Sequence, residues 1–304
     1  MYTMQNFKDI CRMSQKELKK HVASELRTMY KSVTEQKGFV YAQGTFPVLL
    51  VAHLDTVHTF LPGKIKYKKD KLWSPNGIGG DDRCGVYMIL NIIEKYNCSV
   101  LFCQDEEVGC LGAQKFVNSE LAKKLIGKFN YIIEFDRKGN NDAVFYDCDN
   151  KDFEKFITKD FYKTNIGSFT DISIVAPYLK AAAVNLSCGY YKAHTKEEYV
   201  MWSEMETSMH EAIKILARTM DDDKFEYIEA PKRLYDYGGY YGGDDGYYFI
   251  DYCNENAALD TYETYAQSEE EAVGIFLIEH PDLCFGDVIE VYGDYENYKI
   301  DAWR

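Results

Sequence analysis

Val48-Leu49-Leu50-Val51-Ala52 is continuously apolar and runs straight into His53-Leu54-Asp55. Five apolar residues with no polar alternation suit a strand buried on both faces, as in the middle of a parallel sheet. Upstream, Gly38 to Gln43 is a second run rich in β-branched and aromatic residues, and Gly44 separates the two, so a pair of strands joined by a turn is expected. Further back, Ser14 and Glu17 have the capping-box spacing, which starts a helix at Gln15 that runs to about Val33.

Downstream the chain alternates. Helical patterns at Gly85 to Tyr96, Gly112 to Leu125, Asp152 to Tyr162 and Glu204 to Met220 are interleaved with strand patterns at Ser99 to Cys103, Tyr131 to Phe135 and Ala181 to Leu186. That order predicts an α/β fold with a mainly parallel central sheet flanked by helices. After Asp221-Asp222-Asp223 the composition shifts. Tyr235 to Tyr248 (YDYGGYYGGDDGYY) reads as a connector. Beyond it come a strand at Tyr247 to Tyr252, a helix capped by Ser268 that reaches about Glu279 before Pro281, and a strand at Val288 to Tyr292. The expected division is a main domain over 1–223 and a small α+β appendage over 224–304.

Composition narrows the functional classes. The 304 residues carry 35 Lys and Arg against 49 Asp and Glu, a formal net charge of -14, with no continuous basic run. Nucleic acid and anionic membranes are therefore not expected partners. No stretch approaches the apolar length of a membrane span, and Met1 to Lys19 lacks the apolar core of a secretory signal. Nine cysteines, odd in number and never spaced CxxC, fit buried reduced thiols and a cytoplasmic setting.

Five short segments lie at or just beyond the carboxyl ends of these strands: His53-Leu54-Asp55, Gly80-Asp81-Asp82, Asp105-Glu106-Glu107, Asp136 and Ala193-His194. In an open α/β sheet the strand carboxyl ends form the ligand crevice, so the five are expected to converge. Imidazoles and carboxylates ligate divalent metals, and a pair of ions needs a shared carboxylate. His53, Asp81 and Asp136 could hold one ion, and Asp81, Glu107 and His194 the other. Asp55 could orient the His53 ring, and Glu106 is left as a spare carboxylate beside a metal-bound water, the usual place of a general base. Bland readings compete: Asp81-Asp82 as a helix cap, Asp105 to Glu107 as a solvated acidic loop, and Glu134 in place of Asp136.

In this order, VAHLDTV, GIGGDDRCG, DEEVGCLGA, EFDRKG and GYYKAHTKEEYV resemble the co-catalytic dinuclear zinc exopeptidases, the superfamily of peptidase T, carboxypeptidase G and the bacterial aminopeptidases. The resemblance covers about residues 38 to 215. It implies a metal-ligand His53 with helper Asp55, a bridging Asp81 with a cis peptide bond to Asp82, Glu106 as base, and Glu107, Asp136 and His194 as remaining ligands. Two divalent ions are implied, zinc first, with cobalt and manganese as alternatives. The lid and dimerisation domain of the peptidase T and carboxypeptidase G relatives has no room here, because the chain between Asp136 and His194 is already filled by strand and helix patterns.

The expected activity is amide-bond hydrolysis by an aminopeptidase or small-peptide exopeptidase, with Glu106 as general base. The alternatives are an N-acyl amino acid deacylase at the same site and a non-catalytic binding protein. A small peptide or an N-acyl amino acid is the expected substrate, and the oligomeric state stays open. Asp171 is a candidate for substrate contact, His58 is expected to be exposed, and Glu197 and Glu198 are expected to start a helix.

Overall fold

Two helices lead the chain, α1 (Met4–Cys11) and α2 (Gln15–Met29), each opened by a capping box, Thr3 with Asn6 and Ser14 with Glu17. They are followed by β1 (Val33–Gln36), β2 (Phe39–Ala42) and β3 (Phe46–His53), whose last six residues are buried. The structure is a computed structural model that describes residues 2–167, 169–220, 223–230, 246–253, 259–266, 269–280, 283 and 288–293. It falls into two units, Met1–Pro231 and Lys232–Arg304.

In the first unit the chain continues through β4 (Lys66–Lys68), β5 (Lys71–Trp73), α3 (Gly80–Ile92), β6 (Cys98–Cys103), α4 (Leu111–Val117), α5 (Glu120–Leu125) and β7 (Tyr131–Arg137). Then follow β8 (Asp142–Val144), α6 (Lys151–Ile157), β9 (Lys163–Asn165), α7 (Asp171–Leu179), β10 (Ala183–Ser187), β11 (Tyr190–Tyr191), β12 (Tyr199–Met201) and α8 (Trp202–Arg218). The large sheet has eight strands in the order β1-β2-β6-β3-β7-β10-β8-β9. Its four central strands, β6, β3, β7 and β10, run parallel, so their carboxyl ends share one edge. A second sheet, β11-β12-β5-β4, is antiparallel and lies in the loops beyond that edge.

Burial on both faces explains the apolar runs. One face of the large sheet packs on α1, α2, α3 and α8 through residues such as Leu18, Val48, Leu50 and Ile89. The other packs on α4, α5 and α7 through Leu49, Val51, Phe116 and Val175. α1 rests on α3: Phe7 meets Tyr87 edge to face at 5.5 Å, and the Tyr2 backbone N–H donates to Asn91 Oδ1 at 2.9 Å.

Several boundaries differ from expectation. The helix expected over Gly112 to Leu125 is two helices, because Ser119 caps a new one by accepting from Ala122 N at 3.1 Å. The helix expected to reach Tyr162 stops at Ile157, where the Thr158 hydroxyl turns back to Glu154 O. Between β7 and β11 there are only β8, α6, β9, α7 and β10 and their loops, which occupy the place where a lid would be inserted. The first unit also extends past the expected boundary at 223. Phe225 N donates to Asn130 O and Ala230 N to Asp147 O, which fastens residues 225–230 to the β7 and β8 loops.

In the second unit, β13 (Gly246–Cys253) pairs with β14 (Leu259–Ala266) and with β15 (Val288–Gly293), and α9 (Glu269–Glu279) completes it. Ile250, Tyr252, Ala266, Val273 and Phe276 form its small core. The strand at β14 was not expected. Residues 235–245 of the Tyr/Gly/Asp stretch, Ser268 and Pro281 lie outside the described residues. No helix of the described residues is long and apolar enough to cross a membrane.

Candidate metal centre

His53 is the last residue of β3, so the buried strand delivers its imidazole to the sheet edge with 1% of the side chain exposed. Its Nε2 lies 3.1 Å from Asp81 Oδ1 and 3.5 Å from Asp136 Oδ1, and its Nδ1 lies 3.3 Å from Asp55 Oδ1. Asp55 therefore sits against the ring nitrogen that faces away from Asp81. The same carboxylate accepts from the backbone N–H of Glu106 at 3.1 Å and of Glu107 at 3.0 Å, tying the loop after β3 to the loop after β6.

Asp81 lies in the distorted first turn of α3, and its bond to Asp82 is cis. Regular helix begins only after this pair, since both have non-helical dihedrals. Asp82 behaves as a cap, accepting from Gly85 N at 2.8 Å and from His53 N at 3.2 Å. Gly85 must be glycine: a Cβ there would stand 1.9 Å from Phe135 O and 2.5 Å from Asp82 Oδ1. Asp81 Oδ2 faces His194 Nε2 at 3.3 Å, and that nitrogen is 3.0 Å from Glu107 Oε2. His194 lies between β11 and β12 with 39% of its side chain exposed.

Asp136 lies inside β7 rather than beyond its end. Thr170 Oγ1 donates to its Oδ2 at 3.0 Å and Tyr190 OH to its carbonyl at 3.1 Å, and neither role was anticipated from sequence. Glu134, its competitor, is buried below it on the same face of the strand, with Oε2 unpartnered among the described residues.

The structure corrects three expectations. Asp171 is fully buried at the start of α7, so it is sealed from any substrate. Glu198 does not start a helix; it is wholly buried and accepts from Gly79 N at 2.7 Å and Asp81 N at 3.0 Å. His58 is not exposed, with only 10% of its side chain accessible and its Nε2 2.7 Å from Glu198 Oε2. Arg83 is buried too and donates to the carbonyls of Leu54, Asp55 and Met13.

So many carboxylates in one buried place repel one another. Burial and the Asp81 charge push Asp136 up to about 6 and Glu107 up to about 7. Burial, with the charges of Asp136 and Glu107, raises Glu106 well above the usual carboxylate range. Hydrogen bonds to Asp81 and Glu107 push His194 up to about 11. For Asp81, hydrogen bonds from both imidazoles outweigh burial and hold its carboxyl well below the usual range. Divalent cations would replace these protons and relieve the repulsion. The donors of His53, Asp81 and Glu107 lie within 4.8 Å of one another, as do those of His53, Asp82 and Asp136, and buried Glu107 Oε1 has no partner among the described residues. By donor chemistry and packing the residues fit a metal site.

Residues 39–174 match the sequence profile of peptidase family M28. This stretch resembles an M28 peptidase domain. Every clustered residue but His194, Tyr190 and Glu198 falls inside it. The aminopeptidase PepT from Bacillus cereus shares the fold with a TM-score of 0.58 at 11% identity, over 70% of this chain and 96% of that one. A tripeptidase from Staphylococcus aureus does so at 0.56 and 13%, over 71% and 98%. A Zn-dependent exopeptidase from Parabacteroides distasonis does so at 0.51 and 14%, over 71% and 95%. At such identities the likeness is one of fold. No curated protein sequence gives a significant match. The M28 match over residues 39–174, together with the shared fold, supports a metallopeptidase.

Proposed function

We propose that the protein is an aminopeptidase that removes N-terminal residues from short peptides with two divalent ions, zinc first, with cobalt or manganese as substitutes. One observation carries the reading: the two oxygens of Asp81 stand 3.1 and 3.3 Å from different imidazoles, His53 and His194, so one carboxylate can serve two ions at once. Asp136 and His53 would complete one position, Glu107 and His194 the other. Ions held there would polarise the scissile carbonyl and acidify a water molecule.

The chain's own groups do the rest. Asp55 steadies the His53 ring and holds the backbone of Glu106 and Glu107. The half-buried Glu106 carboxyl touches the Cys110 thiol at 3.6 Å and, with no other hydrogen-bond partner among the described residues, can take a proton and return it to the leaving amine. The M28 match and the fold shared with an aminopeptidase and a tripeptidase support the exopeptidase reading. Seven free, buried thiols among the described residues support a cytoplasmic setting.

Glu106→Gln tests the reading. Metal content should stay intact while kcat/KM on a free tripeptide falls by about 10²- to 10⁴-fold. Full activity in that variant, or native activity confined to N-acylated substrates, refutes it, the second result in favour of a deacylase.

A further inference from the structure

The chain is acidic overall, yet five lysines fall between Lys64 and Lys71. In sequence they are broken up by Ile65, Tyr67 and Asp70, and the β4–β5 hairpin sets Lys68, Lys69 and Lys71 on one surface. β12 pairs with β5 in the register Tyr199↔Trp73 and Met201↔Lys71, which sets this hairpin beside the loop that carries His194. Between them lies a groove of about 290 Å³ lined by Lys71, Trp73, Ser74, Pro75, Lys192, Lys196, Glu197 and Glu198.

Its charges are unbalanced. Lys192 is paired with Glu197, but no ion pair among the described residues engages Lys71 or Lys196. The Lys71 ammonium stands 3.6 Å from the centre of the Tyr199 ring. In a molecule of net charge -14, a concave spot with three lysines against two glutamates and a Trp side favours an anion with an apolar stem.

Position identifies the anion. Lys192 and Lys196 stand two residues either side of His194, at most about 7 Å along the chain. The turn from Trp73 leads into Asp81, so both segments framing the groove end in residues of the metal centre. An extended peptide advances about 3.3 Å per residue, and the groove is therefore one or two residues from the scissile bond. We propose that it binds a substrate carboxylate at that distance, either the C-terminus of a di- or tripeptide or an acidic side chain, an inference that rests on the peptidase reading above.

Two substrate pairs test it with metal-loaded protein: trialanine as free acid against its amide, and Ala-Glu-Ala-amide against Ala-Gln-Ala-amide. The charged member of at least one pair should show about tenfold higher kcat/KM, and the pair that responds identifies the source of the carboxylate. In Lys71→Ala/Lys196→Ala that ratio should fall towards one, and in Lys196→Glu it should invert. Raising the salt should shrink it. Peptides cleaved without regard to charge, or a ratio unchanged in both variants, overturn the groove assignment and leave the peptidase reading standing. Failure to cleave any of the four peptides overturns both.

Discussion

Glu198→Gln probes how the metal centre is held together. The Glu198 carboxylate is wholly buried and accepts three contacts: Asp81 N at 3.0 Å on Oε1, Gly79 N at 2.7 Å and His58 Nε2 at 2.7 Å on Oε2. Glutamine has the same shape but only one acceptor atom. If its oxygen keeps Asp81 N, its NH₂ faces the Gly79 N–H, two donors with nothing between them. His58 can adapt by changing tautomer; the backbone cannot. One charge-assisted hydrogen bond is lost outright and another is weakened, at about 1.5–3 kcal/mol for a bond to a charged group, so a net loss of about 3 kcal/mol is expected. For a unit of this size that lowers the Tm by roughly 5–10 °C. Because one of those N–H groups belongs to Asp81, divalent-metal affinity should fall about 10- to 100-fold as well. Calorimetric melting of the chelated protein reads the first effect, and zinc titration against a chelating dye reads the second. An unchanged Tm together with an unchanged affinity refutes the anchoring role, and a lowered Tm with native affinity reduces Glu198 to a purely structural group.

Other consequences can be measured separately. Asp171 is buried, and burial with the charges of Asp55 and Asp136 pushes it up to about 7. The folded state then holds its proton more tightly than the unfolded chain, so stability is full below about pH 4 and is lost as pH rises to about 7, by up to roughly 4 kcal/mol. Melts of chelated Asp171→Asn should flatten over that window, and an unchanged pH slope counts against the argument. Zinc uptake near neutral pH must displace the proton that Asp81 and Glu107 hold on His194, so about one proton or more should be released per chain. Calorimetry in two buffers of different ionisation enthalpy measures this, and no release would contradict the cluster described here. In Gly85→Ala the new methyl meets backbone and the Asp82 cap rather than a flexible side chain, so a loss of at least about 3 kcal/mol is expected. A native melting temperature in that variant would mean that the α3–β7 approach can open.

Much of this was legible because each signal was local. The run Val48 to Ala52 has no polar residue to place at a surface, so it could only be an interior strand, and the strand fixes where His53 emerges. What escaped depends on partners far along the chain. Glu198 and the backbone N–H groups it accepts from are more than a hundred residues apart, and a Glu two residues from a Lys reads like any surface carboxylate. That Asp171 starts a buried helix was missed because α7, with Pro177 inside an apolar stretch, resembles no amphipathic helix. The break between α4 and α5 turns on the Ser119 hydroxyl choosing Ala122 N, in a segment where both halves favour helix. The three-residue strands β4 and β5 are too short to carry a period, and the basic groove they help form was hidden with them.

The docking of α1 on α3 bears on the order in which the molecule can be made. Tyr2 reaches Asn91, Phe7 reaches Tyr87, and Met13 O receives a proton donor from Arg83. At about 5–20 residues per second, the ribosome delivers α3 roughly 4–16 s after α1, longer than helices or hairpins take to form. Throughout that interval the apolar side of the leading helix has no native surface to cover it. A segment made well before its partner is thus among the last to find its place, and nascent chains stalled before residue 92 should be the ones that a chaperone holds.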